Sequence, residues 1–449
     1  MKLLEFSAKN VHEYLDFDVT FREDVNFFAG LNGCGKTTAL KLIMALLTPS
    51  LRELKSIKFE SVYLQLKHHG KTYEIQVEKK KPKLVLTVTI DGESKSHSSL
   101  DPSEIDMPDW ELAKRKMYIE EAEINSALVE RRALPIPMFL SLARSLLEPK
   151  DIEKDYFMSL EEQVKYKRKR SPKSFNNLNE AIDLILRASS IARSNQARID
   201  KVLRDKIIKN SLSFYPPVES MSLPDTQTIY ELTRKQSAIE NTLDSLNISS
   251  EEFSGHYKDF FSKISFLAKE IEEQSKEEFS EAEAENPFVR EAMYEWFINQ
   301  GQLKRIETIF DLVESYQERK QKIYRDLFKF ETLVNNFLNE TGKDLYIHNV
   351  DGPKIKIKGK TRSISILSSG ESQIVCMLAH LVLNKNLQKD GVFIVDEPEL
   401  SLHISWQDMF VEAVQAANPD LQVILATHSP AIIGGRNSMY VPLNGGNNV

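Results

Sequence analysis

The sequence predicts an α/β fold: a mixed sheet with flanking helices, an antiparallel β subdomain and an inserted α-helical domain with short coiled-coil character. Three observations predict it. A strand (Asp24 to Ala29), a glycine loop (Gly30-Leu31-Asn32-Gly33-Cys34-Gly35-Lys36-Thr37-Thr38) and a helix (Ala39 to Leu47, stopped by Pro49) follow one another. Two apolar runs near the other end, Val392 to Val395 and Leu421 to Ala426, finish in Asp396-Glu397-Pro398-Glu399 and in Thr427-His428-Ser429-Pro430. Between these regions glycine nearly vanishes, and Lys, Arg and Glu dominate. The chain therefore divides into residues 1–150, a helical insertion over 151–340, and 341–449.

The glycine loop fits G-x-x-x-x-G-K-[ST], the pattern that cradles phosphates. Its glycines let backbone N–H groups turn inward around phosphate oxygens, and the following helix N-terminus adds partial positive charge. Lys36 has the reach for β- and γ-phosphates, and the Thr37 hydroxyl is suited to magnesium. Asn32, Gly33, Gly35 and Thr38 complete the candidate phosphate shell.

Length and composition set bounds. A chain of 449 residues exceeds one ordinary core. Apolar content of 41% with 28% charged residues describes a globular protein. The net charge of −7 gives no global attraction for nucleic acid, so any such contact needs a local patch. The two distant cysteines, Cys34 and Cys376, make no disulfide framework, and a reducing, cytoplasmic setting is expected. No apolar run reaches membrane-spanning length, and no secretory pattern opens the chain.

In chain order, Leu3 to Phe6 and Leu15 to Phe21 read as strands, the second with strict alternation. Three more alternating runs follow: Val62, Leu64, Leu66; Tyr73, Ile75, Val77; and Leu84, Leu86, Val88, Ile90. They are separated by turn signals and predict an antiparallel sheet with one buried face. His68 and His69 read as solvated turn residues. The pattern from about 108 to 149 is helical, interrupted by Leu134 to Ser141 as a buried strand running towards Arg144. Helices are predicted over Asn177–Ile208, Thr226–Leu246 and Glu251–Glu272. From Ile309 to Phe337 a seven-residue repeat sets Ile309, Tyr316, Ile323, Phe330 and Phe337 at one position and Val313, Lys320, Leu327 and Val334 at the other. That is a seam to be buried against another helix. Of two charge runs, Lys165 to Arg170 reads as a solvated face or, alternatively, as a contact for a nucleic-acid backbone, and the glutamate-rich Glu270 to Glu285 reads most simply as a solvated helix end. Beyond 340, Ile355 to Lys358 alternates, and Leu367-Ser368-Ser369-Gly370-Glu371-Ser372-Gln373 opens an apolar helix.

In this order the motifs resemble ABC-type ATPases, the class that includes SMC-like repair proteins. They look most like AAA-family, OLD-like standalone ATPases with a DEPE-x-SLH-x-x-WQ pattern, here Asp396 to Gln407. Such ATPases occur in bacterial anti-phage systems such as Septu, PARIS and ATPase-carrying retrons. The resemblance implies a P-loop NTPase head that binds ATP and Mg2+. Asp396, with Thr37, would hold the metal; Glu397 would polarise the attacking water. His428 would contact the γ-phosphate as a catalytic partner. Ser368 and Gly370 would cap ATP bound to another subunit, implying a homodimer or higher homo-oligomer. No distinctive Q-loop stands out; Glu120, Glu121 and Gln163 are the candidates.

Three functions compete. The first is an ATP-hydrolysing subunit of an anti-phage complex that senses for, or regulates, a separate nuclease or toxin effector. The second is a DNA-repair or chromosome-maintenance ATPase of the RecF or SMC-like type. The third is a scaffold that holds ATP and hardly turns it over. The short insertion and the DEPE-x-SLH pattern favour the first. Only nineteen residues follow Pro430, too few for a nuclease domain, so a nuclease is expected in a separate protein. DNA or RNA remains an open partner, and no membrane is expected.

Overall fold

The computed structural model describes residues 1–30, 33–47, 54, 56–80, 83–100, 134, 137–140, 146–147, 177–212, 223–245, 251–276, 287–348, 352–384, 391–400 and 402–443. Asn32, Arg144, the Lys165–Arg170 run and the three Q-loop candidates lie outside them. The described chain separates into two compact units, residues 1–188 with 326–449, and residues 189–325.

The first unit is built on three sheets. β1 (Lys2–Val11), β2 (Leu15–Thr20), β4 (Ser61–His68), β5 (Lys71–Lys80), β6 (Lys83–Ile90) and β7 (Glu93–Leu100) form an antiparallel sheet in the order β2-β1-β4-β5-β6-β7. Alternation dictates its faces. Leu15, Phe17 and Val19 of β2 are buried while Asp16, Asp18 and Thr20 are exposed. Val62, Leu64, Leu66, Ile75, Val77, Leu84 and Leu86 all join one core. His68 packs its ring on His69, centroids 3.9 Å apart, at the tip of the β4–β5 hairpin.

The second sheet has the order β15-β3-β14-β13-β8-β9, from β3 (Val25–Ala29), β8 (Met138–Leu140), β9 (Leu146–Leu147), β13 (Val392–Asp396), β14 (Gln422–Ala426) and β15 (Tyr440–Pro442). All neighbours are parallel except β8 and β9. β13 and β14 are buried at every position, as a parallel strand covered on both faces must be. Gln422 links the two sheets through one buried amide: its oxygen accepts from Leu3 N–H (2.6 Å), and its nitrogen donates to the Leu3 (2.9 Å) and Arg22 (2.7 Å) carbonyls. Helix α1 (Lys36–Leu47) packs against β13, β14 and β4. This is the predicted α/β head with its antiparallel subdomain.

Helices α2 (Asn177–Ser211), α3 (Thr226–Ser245) and α4 (Glu251–Lys276) match the predicted helical stretches to within a few residues, whereas α5 (Pro287–Leu338) contains the predicted Ile309–Phe337 repeat but begins well before it. In the second unit Leu232, Phe261, Ile264, Leu267, Ile271 and Trp296 share one small core. Tyr316 donates its hydroxyl to Asp200 (2.8 Å) and Tyr324 to Gln196 (2.5 Å), tying α5 to α2. Along the heptad seam Val313, Tyr316, Leu327, Phe330, Val334 and Phe337 are buried. Ile309, Lys320 and Ile323 are only half-buried, so the seam is incomplete in its middle.

In the first unit, α5 ends in a 3-10 turn closed by Gly342 in the left-handed region (φ 68°), where glycine avoids the Cβ clash. Phe337 meets Trp406 edge-on at 5.7 Å. β10 (Lys343–His348), β11 (Gly352–Ile357) and β12 (Lys360–Ser363) form a small antiparallel sheet that leads to α6 (Ser369–Leu383). α7 (Ile404–Ala417) and the single-turn α8 (Pro430–Ile433) complete the unit. Among the described residues no helix is long and apolar enough to cross a membrane.

Candidate functional site

The parallel sheet brings three strand ends together. β3 runs into the glycine loop, β13 ends at Asp396, and its neighbour β14 ends opposite it, with Asp396 in register with Ala426. Gly33 and Gly35 take φ values of 87° and 90°, which L side chains rarely adopt. Space reinforces this at Gly35: a Cβ there would stand 2.7 Å from Phe17 Cζ and 2.9 Å from Leu15 Cδ1. The alternation of β2 thus supplies the floor on which the loop turns.

Lys36 starts α1 and is 5% exposed. Its Nζ donates to the Gly30 carbonyl (2.9 Å) and lies 3.5 Å from His428 Nδ1. Thr37 donates its hydroxyl to Asp396 Oδ1 (3.2 Å), and Thr38 is half-buried in the same helical turn. The first turn of α1 carries no acidic residue, so its N–H groups and dipole face no carboxylate of their own. Asp396 is nearly inaccessible, and burial pushes its carboxyl above the ordinary carboxylate range. The Thr37 bond and Lys41 pull it down; the neighbouring Glu397 and Glu399 push it further up.

Glu397 follows with φ 49°, unusual for a non-glycine residue. Its N–H donates to the Ala426 carbonyl (2.8 Å), which bends the chain off the sheet. Its carboxylate lies 3.7 Å from His428 Nε2. The His428 ring therefore stands between Lys36 and Glu397. Sequence reasoning gave no role to Glu399 or Gln407, although both sit within the DEPE-x-SLH-x-x-WQ run. The Glu399 carboxylate accepts from the Thr427 hydroxyl (2.8 Å) and the His428 N–H (2.6 Å). Gln407 accepts from the Ser429 hydroxyl (2.5 Å) and donates to the Leu402 carbonyl (3.1 Å).

Gly33, Gly35, Lys36, Thr37, Asp396, Glu397 and His428 are thus gathered at one end of the parallel sheet. Ser368 and Gly370 are not joined to them. Ser368 caps α6: its hydroxyl accepts from Glu371 N–H, and Glu371 returns a bond to Ser368 N–H (2.7 Å). Glu371 also accepts both from Lys343 Nζ, at 2.8 Å to each oxygen, and from the Thr341 hydroxyl (2.9 Å). Among the described residues no hydrogen bond or ion pair links Ser368 or Gly370 to Lys36, Thr37, Asp396, Glu397 or His428.

The donor set fits a magnesium nucleotide. A hydroxyl and a buried carboxylate pointing at one another are hard oxygen donors, and two further carboxylates raise the local negative charge. Among the described residues no group of three His, Cys, Asp or Glu side chains could enclose a metal unaided. A cation here would complete its shell with water and phosphate oxygens, as magnesium ordinarily does.

Strand, glycine loop and helix, with an acidic strand end beside them, define a P-loop NTPase head. The AAA ATPase domain family AAA_15 matches over residues 1–433, and the chain belongs to that family. It is similar to the Retron Vc95 probable ATPase of Vibrio cholerae serotype O1 biovar El Tor, with 26% identity over 243 residues covering 49% of this chain and 45% of that protein. It is also similar to the Retron Ec83 probable ATPase of Escherichia coli, with 24% identity over 149 residues, 29% of this chain and 28% of that protein. The matched stretches span less than half the length of either relative. Among solved structures it is similar to the Smc head domain of Pyrococcus furiosus with an extended coiled coil, bound to the C-terminal domain of ScpA. That match has 12% identity and a TM-score of 0.35, covering 96% of this chain and 91% of that one. The Smc head domain of Pyrococcus yayanosii with a coiled coil and joint matches at 13% identity and the same TM-score, covering 96% and 93%. A TM-score of 0.35 is too low for either to bear on function.

Proposed function

We propose that the chain binds ATP with magnesium and hydrolyses it. The supporting observation is the single cluster in which Lys36, Thr37, Asp396, Glu397 and His428 converge beside the glycine loop. Lys36 leaves the Gly30 carbonyl and turns its charge to the β- and γ-phosphates. Thr37 and Asp396 would hold the cation, which would supply neutralisation of charge on the phosphates. Glu397, whose carboxylate among the described residues has no ion-pair partner but His428, would orient the attacking water and take its proton. His428, whose ring lies beside Lys36 and Glu397, would donate to the γ-phosphate. Lys36→Ala is expected to weaken ATP binding, whereas Glu397→Gln keeps binding and abolishes turnover. Wild-type turnover by Glu397→Gln would remove the assignment of the base.

The working unit in this proposal is at least a homodimer with ATP between subunits. Ser368 bonds within its own helix start, with Gly370 in the first turn behind it, and among the described residues neither bonds to the phosphate loop of the same chain, which supports a role towards a second copy. A two-fold pair completes both sites at once. Lys36→Ala and Ser368→Arg proteins, each inactive alone, are expected to regain ATPase activity when mixed. A dead mixture with confirmed subunit exchange refutes the shared site. The biological setting proposed, from the likeness to retron ATPases, is an anti-phage complex in which this chain senses for, or regulates, a separate nuclease or toxin. Co-purification with a neighbouring-gene product of that kind tests it, and a recombination partner instead would refute it.

A further inference from the structure

We infer that Glu399 is a positioning residue for ATP turnover, acting through His428. The inference rests on the hydrolysis proposed above and deepens it. Residues 427–429 belong to no helix or strand, yet the middle one must present its ring at a fixed place. Thr427 and Ser429 are buried while His428 is exposed, so the flanks are gripped and the ring is left out between them. Glu399 makes the grip. One oxygen takes the Thr427 hydroxyl and the other takes the His428 N–H. The Thr427 hydroxyl oxygen in turn accepts from Ser429 N–H (3.0 Å), and Gln407 takes the Ser429 hydroxyl.

The chemistry calls for a carboxylate. Two donors approach from adjacent residues, and an acceptor-only group with two oxygens receives both, each as a charge-assisted bond. A glutamine offers one oxygen and an NH2 group. Its oxygen can keep the His428 N–H, but the Thr427 hydroxyl then loses its carboxylate acceptor, and both charge-assisted bonds become neutral ones. Glu399 is not a second base: both its oxygens are engaged with residues 427 and 428, whereas among the described residues the ion-pair partner of the Glu397 carboxylate is the histidine ring. The fold makes this grip possible because β13 and β14 are parallel neighbours, so the turn after one lies beside the turn after the other.

The test uses the full-length protein with steady-state ATP turnover and titration of a fluorescent ATP analogue. Glu399→Gln should lower kcat roughly 10- to 100-fold, the range typical of groups that orient a reacting side chain. Its nucleotide Kd should change less than about three-fold, since the loss falls on turnover rather than on ground-state binding. Glu399→Ala should lower turnover in the wild type and add nothing to His428→Ala, because it works through that ring. If Glu399→Ala does not fold, the near-isosteric Glu399→Gln in the His428→Ala background carries the same test. Full additivity, or a raised Kd with unchanged kcat, overturns the inference while leaving the hydrolysis proposal standing. Wild-type turnover by His428→Ala overturns both the role of the histidine and the inference built on it.

Discussion

Lys343 and Glu371 form the ion pair whose loss should be easiest to measure. Glu371 has a side chain 3% exposed, and Lys343, at 20%, brings one ammonium to both of its oxygens. Lys343→Met strands a buried carboxylate. Breaking such a pair from one side costs about 3–5 kcal/mol. Here the Thr341 hydroxyl and Ser368 N–H remain and the lysine edge is wetted, which brings the loss to about 2–3 kcal/mol. For a unit of about 300 residues that corresponds to a melting shift of roughly 3–5 °C. The double variant Lys343→Met/Glu371→Met removes both charges and should recover most of it, less about 1 kcal/mol for the lost capping box. The effect also has a pH signature. Burial alone would raise the Glu371 carboxyl, but Lys343, the Ser368 N–H and Thr341 outweigh it and hold it below its ordinary value. A depressed carboxyl contributes stability that is complete above the unfolded value and lost as pH falls through the lowered folded one. The gap between wild type and Lys343→Met, read by scanning calorimetry or urea titration, should therefore be full at pH 7 and shrink at the acid end. An unchanged melting temperature at pH 7, or a gap that ignores pH, refutes the reasoning.

The parts of this protein that could be read from sequence are those whose cause is local. The glycine loop needs positive φ at Gly33 and Gly35 wherever the chain lies, and the alternation of Leu15, Phe17 and Val19 needs only a half-buried strand. The long helices were legible for the same reason. β15 was not, because three residues carry no period, and its place beside β3 is fixed by the sheet rather than by its own side chains. Glu399 was visible in the motif but not in its role, since that role depends on the register of β13 with β14 across some thirty residues of chain. Glu371 is the opposite case. Ser368-Ser369-Gly370-Glu371 spells a capping box by spacing alone. Thr341, from the turn after α5, and Lys343, the first residue of β10, complete its bonding and could be found only in the folded chain. The half-buried Ile323 shows the limit of a heptad: the period identifies a seam but not how much partner covers each position.

The two loop glycines should separate strain from crowding. Among the described residues a Cβ at Gly33 meets nothing within 4 Å, so Gly33→Ala should cost the left-handed strain, about 1–2 kcal/mol. Gly35→Ala adds the collision with Phe17 and Leu15 and should cost about 1–3 kcal/mol more by urea titration; equal losses would mean that the floor under the loop yields. Asp396→Asn should reverse the usual sign of a site mutation. Burial first, then Glu397 and Glu399, raise the Asp396 carboxyl, so the folded chain holds that proton more tightly than the unfolded one. Stability from this group therefore falls as pH rises from the unfolded carboxylate value through the raised folded one, and at pH 7 the ionised side chain opposes folding. Asparagine removes the charge and keeps an oxygen for the Thr37 hydroxyl. In the absence of divalent ions and nucleotide, Asp396→Asn should melt above wild type at pH 7, and the advantage should close as pH falls towards 4. Magnesium with ATP should then raise the wild-type melting temperature and leave the variant nearly unmoved, because the carboxylate that opposes folding is the one proposed to hold the cation. A variant that melts below wild type by a margin independent of pH would show that the Asp396 charge is already compensated within the folded chain.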